Sequence, residues 1–102
     1  MSEQVNHPSH YCKNGRKECI VEMEEKYGAE YTAVFCLMSA YKYLYRAGEK
    51  ENNPSERDIN KAKWYFDYVD NKLIIKLSGN VLNNKCFESL YLDIKEMLQN
   101  GL

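Results

Sequence analysis

Positive charge is not in excess in this chain: Lys and Arg number 14 against 15 for Asp and Glu, leaving a net charge of −1. That balance excludes a sequence-independent grip on long DNA or RNA, which draws on surplus cations, while a local basic cluster can still hold a small anion. Long apolar runs are missing too. None approaches the roughly 18 residues of a membrane span, and the opening Met1-Ser2-Glu3-Gln4 does not read as a signal peptide. The expected location is the cytoplasm, with no membrane partner.

Further absences narrow the chemistry. No Gly-x-x-x-x-Gly-Lys-Ser/Thr loop occurs, so the usual phosphate cradle of kinases and ATPases is lacking. No Gly-x-Gly-x-x-Gly follows a strand and no Gly-x-Ser-x-Gly elbow is present. Only two histidines occur, His7 and His10, and nothing supports a His-based nucleophile system around them. The four cysteines, Cys12, Cys19, Cys36 and Cys86, form no Cys-x-x-Cys pair and no disulfide framework. Free thiols are expected in a reducing compartment. His7, His10, Cys12 and Cys19 are soft donors within thirteen residues, but zinc sites bring tighter, recurring pairs. No metal and no cofactor is assigned.

What is present suits one small domain over residues 1–102, with 44% hydrophobic and 28% charged residues. No internal repeat or low-complexity tract interrupts it. Tyrosine stands out at nine, against three Phe and one Trp. Such rings fill cores and subunit interfaces while keeping one polar end, and they also stack bases.

The pattern predicts a mainly α fold: a small helical domain with a central helical hairpin and an irregular N-terminal arm. His7-Pro8-Ser9-His10-Tyr11 and the Asn14-Gly15 turn signal form that arm. A first helix fits 17–27, with Cys19, Ile20 and Met23 on one side and Gly28 closing it. A second fits about 30–46, with Ala33, Cys36, Leu37, Ala40 and Leu44 inward and Gly48 as its stop. After a polar loop, Ser55 and Asp58 resemble a capping box, and a third helix runs to about 72 with Ile59, Ala62, Phe66, Val69 and Leu73 inward. The run 73–77 reads equally as continued helix or as a short strand, and Ser78-Gly79-Asn80 breaks it. A last helix fits about 86–99, carrying Leu90, Ile94, Met97 and Leu98.

The candidate chemistry gathers on the hairpin. Lys42 and Arg46 lie four apart, off the apolar stripe, with Lys50 just beyond the helix end. Asp58, Lys61 and Tyr65 share an edge of the third helix. Antiparallel packing would join the two edges into one rim of phosphate-binding groups. A merely solvated face, with Asp58 paired to Lys61 or Arg46, is the alternative.

Four blocks in order resemble a phage family, domain of unknown function 3310: 5–11 (Val-Asn-His-Pro-Ser-His-Tyr), Glu18-Cys19-Ile20, 42–50 (Lys-Tyr-Leu-Tyr-Arg-Ala-Gly-Glu-Lys) and 58–65 (Asp-Ile-Asn-Lys-Ala-Lys-Trp-Tyr). The resemblance covers about residues 5–70 and leaves a helical extension at about 81–102. Met38-Ser39 and Tyr45 depart from the Gly-Asn and Trp that the family tends to show. Members are commonly labelled nucleotide kinase, so the resemblance implies a nucleotide ligand near His7, His10, Tyr11, Lys42, Arg46, Asp58, Lys61 and Tyr65, and Lys50 joins them as a candidate ligand-binding residue from its place at the helix end.

Three functions follow as expectations. The first is a non-catalytic nucleotide binder, a phage-encoded homo-oligomeric sponge in the host cytoplasm that sequesters an immune signal of cyclic-nucleotide or cyclic ADP-ribose type. The second is a nucleoside monophosphate kinase-like phosphotransferase without a P-loop, with Asp58 as base or metal ligand. The third is a protein-binding inhibitor of a host factor. The first assigns no catalytic residue.

Overall fold

A computed structural model describes residues 18–49 and 55–100, with the backbone alone at 48 and 49. Helix follows helix: α1 (Cys19–Tyr27), α2 (Ala29–Glu49), α3 (Ser55–Tyr68), α4 (Gly79–Leu82) and α5 (Lys85–Asn100). Among the described residues there is no strand, and the fold is mainly α.

Gly28 separates α1 from α2 because its backbone sits at φ 98°, ψ 163°, a region that side chains with a Cβ rarely enter. Its carbonyl accepts from the Thr32 hydroxyl at 2.9 Å, which secures the first turn of α2. Of the face expected inward on α1, Ile20 is buried and Met23 half-buried, but Cys19 is exposed. One residue earlier than Ile20 on a 100° step, Cys19 swings off the edge of a narrow contact stripe.

α2 is the backbone of the molecule. Ala33, Cys36, Leu37, Ala40 and Leu44 are all fully buried, as the three- and four-residue spacing predicts. Several are small, so α3 approaches closely. The helix does not stop at Arg46; it passes through Gly48 to Glu49. A helical glycine costs only about 1 kcal/mol, which a long packed helix absorbs. α2 and α3 run in opposite directions: Arg46 near the end of α2 meets Asp58 at the start of α3, and Phe35, a few turns earlier, meets Tyr65.

The apolar run 73–77 is a helix continuation, not a strand. α3 widens into a π-helical turn over Val69–Leu73, then tightens into a 3₁₀ turn over Ile74–Lys76. Ala62, Phe66, Val69, Leu73 and Leu77 all face inward. The π turn spans Val69 to Leu73, and Leu77 follows in extended backbone just after the 3₁₀ turn. The Ser78-Gly79-Asn80 break is itself the start of the short α4, since Ser78 Oγ accepts from the Val81 amide at 3.4 Å. Asn84 then caps α5, its Oδ1 accepting from the Phe87 amide at 2.9 Å. Phe87 and Ile94 bury α5 against the hairpin, with Leu90, Met97 and Leu98 half-buried beside them. The Tyr91 hydroxyl donates to Asp70 at 2.5 Å and Lys76 pairs with Glu24 at 2.6 Å, tying α5 to the π turn and the 3₁₀ turn to α1.

Candidate cation and aromatic site

One ring organises the polar edge of the hairpin. Tyr43 is half-buried on the flank of α2, between the inward stripe and solvent. Three cations surround it: Lys42 Nζ lies 4.7 Å from the ring centroid, Lys61 Nζ 5.3 Å and the Arg46 guanidinium carbon 5.8 Å. Tyr65 of α3 stacks on Tyr43, centroids 6.0 Å apart and planes 10° from parallel. Phe35 and Trp64 then meet Tyr65 edge-on, at 5.9 and 5.3 Å.

Asp58 contributes a carboxylate to this cluster, and Glu18 acts on Tyr65 from nearby. Asp58 is buried, and its Oδ2 lies 3.9 Å from Arg46 Nε, close enough for charge attraction but longer than a hydrogen bond. Three positive charges converge on one ring. Each cation over a ring gains about 0.5–1 kcal/mol at exposed sites, while like charges this close repel. An anion seated among them relieves that repulsion. Burial foremost, with smaller contributions from Tyr43 and other neighbouring acidic groups, pushes the Tyr65 phenol above its ordinary value of 10.0. It therefore stays protonated at neutral pH and acts as a hydrogen-bond donor, not a base.

The structure thus brings together five residues singled out from sequence: Lys42, Arg46, Asp58, Lys61 and Tyr65. Four others, His7, His10, Tyr11 and Lys50, lie outside the described residues, as does Cys12. Tyr43 was not singled out, although it links all the described members but Asp58. Its signal was available: it follows Lys42, stands three before Arg46, and sits at the margin of the buried stripe where a ring can be half-covered. Among the described residues no group of three or more His, Cys, Asp or Glu could hold a metal ion.

Chemically, the edge offers a planar guanidinium fork, two ammonium groups, a phenol donor and stacked aromatic faces. Groups of these kinds are the ones that bind phosphates and stack on rings. The set defines a helical hairpin with a cation-bearing aromatic edge.

The family described as a protein of unknown function, DUF3310, matches residues 5–67. The chain belongs to this family. The matched region closes within α3, so it takes in the whole cation cluster and leaves α4 and α5 outside. No curated protein and no solved structure matches the chain.

Proposed function

We propose that this chain binds a nucleotide-derived small molecule without transforming it. The observation that carries the reading is the convergence of Lys42, Arg46 and Lys61 on one stacked tyrosine pair. Phosphate is recognised by the charges, and a base or ribose face packs against the exposed parts of the rings. The acid-base equipment of a phosphotransferase is weakly represented there. Asp58 is held against Arg46 and Tyr65 keeps its proton. In its sharper form the protein is a phage-encoded homo-oligomeric sponge that sequesters a cyclic nucleotide or cyclic ADP-ribose type of host immune signal.

The test is to incubate the protein with a panel of linear and cyclic nucleotides, denature it, and analyse what is released. Release of an unchanged nucleotide supports sequestration. A new phosphate ester favours the phosphotransferase instead, and no retained nucleotide favours a protein-binding inhibitor. Arg46→Ala and Lys61→Ala each remove a charge-assisted contact of about 1.5–3 kcal/mol, so binding should weaken roughly 10- to 150-fold. Thermal melts run alongside separate lost binding from lost folding. Unchanged affinity in a folded Arg46→Ala protein would place the site elsewhere.

A further inference from the structure

α2 is apolar on two sides about 120° apart, at 100° of helix per residue. One side is the buried stripe; the other carries Tyr31, Val34, Met38, Tyr41 and Tyr45, with Phe35 alongside, all between 38% and 71% exposed. These five recur at alternating three- and four-residue steps, which keeps them on one line down the helix. From the first to the last, the line runs about 21 Å at 1.5 Å per residue. At roughly 150–250 Å² for a whole aromatic side chain, the exposed fractions amount to about 500–700 Å² of open apolar surface. A typical monomer's largest apolar patch is about 300–600 Å².

We propose that this outward face of α2 is a homodimer interface, occupied by the α2 of a second copy running antiparallel to it. Three observations select a second copy. The 3.5-residue period is the one by which two helices keep a continuous seam. The area, once the polar rim of Glu30 and Lys42 is added, reaches the about 600–1,000 Å² per partner of a stable interface. The seam is also self-complementary about Met38: Tyr31 and Tyr45 each stand seven residues from it, Phe35 and Tyr41 each three. A two-fold axis there sets Tyr31 of one copy against Tyr45 of the other.

Charge selects the direction. A parallel pair would bring Lys42 and Arg46 of both copies to one end, four cations in a cluster. Antiparallel pairing sends them to opposite ends and opposes the helix dipoles. It also lays the second copy's Phe35 beside Lys42, so that each cation site is bordered by both chains; this last step alone rests on the nucleotide-binding reading.

The test needs no nucleotide, so its failure is distinct from a failure of ligand binding. Light scattering on ligand-free protein, at concentrations where a micromolar dimer is populated, should return twice the 12.0 kDa chain mass. Met38→Glu should halve it while the helical circular dichroism persists. A wild-type monomer, or a dimer that survives in folded Met38→Glu, overturns the proposal. Cross-linking covers the case in which that variant misfolds. With Cys12, Cys19 and Cys86 replaced by Ser, Met38→Cys should form an intermolecular disulfide and Tyr31→Cys alone should not. The Tyr31→Cys and Tyr45→Cys proteins, mixed, should cross-link to each other. Self-linking at Tyr31→Cys would show a parallel seam and overturn the arrangement.

Discussion

Cys36 sits in the middle of α2 with no exposed surface, and burial pushes its thiol from the ordinary 9.0 up to about 12. Two consequences follow at the scale of this residue. The thiolate is the reactive form, so Cys36 is inert in the folded chain while Cys19 and Cys86 are accessible. The raised value also couples folding to pH. The unfolded chain releases this proton near 9.0 and the folded chain holds it, so the folded state binds more protons between the two values. Stability is therefore intact below pH 9.0 and declines as pH rises toward about 12. One pH unit above the unfolded value corresponds to about 1.4 kcal/mol. Urea unfolding should show that extra loss by about pH 10 relative to Cys36→Ala. Tyr91, pushed up to about 12 by burial and by its hydrogen bond to Asp70, acts in the same direction in both proteins and cancels in the comparison. Parallel pH slopes for the two proteins would mean the thiol is not held in a dry core.

Among elements, α2 decides the fold, and Leu44 measures how firmly. It is 1% exposed at the end of the buried stripe, where α3 begins its return. Truncating a fully buried Leu removes its transfer energy and leaves a cavity, about 2–5 kcal/mol together. Chemical denaturation of Leu44→Ala should show that loss. A change below about 0.5 kcal/mol, ordinary for a surface site, would mean the inward face is misassigned. The inward stripes of α2 and α3 were legible in sequence because a 3.6-residue period is imposed by burial itself. Residues 73–77 were not, because a short apolar run carries no period and the π turn there is set by packing against the rest of the core. Cys19 misled for a related reason: a short helix that buries only Ile20 leaves little periodic signal. The candidate site was half legible. Four-residue spacing placed Lys42 with Arg46 and Lys61 with Tyr65, but Tyr43 gains its meaning only when the two helices meet. The outward tyrosines were visible as a composition bias, and their common line emerges once the inward face of α2 is known.

For the molecule as a whole, the two proposed surfaces are held by forces that respond differently to salt. The cation edge attracts its ligand through groups such as Arg46, which is 44% exposed, so mobile ions reach it. At 0.1 M salt the screening length is about 10 Å, and at 1 M about 3 Å. Nucleotide affinity should thus fall by about an order of magnitude across that range. The α2 seam is mostly tyrosine, methionine and valine, whose burial is not a charge attraction. Sodium chloride should leave dimer affinity nearly unchanged, and sulfate, excluded from apolar surface, should tighten it. Calorimetry for the ligand and sedimentation for the dimer, in matched buffers, read the two responses separately. A dimer that dissociates as sodium chloride rises would show that ion pairs such as those available to Glu30 and Lys42 hold the copies together. The tyrosine line would then be left without its proposed role, while the salt response of nucleotide binding would still stand or fall by itself.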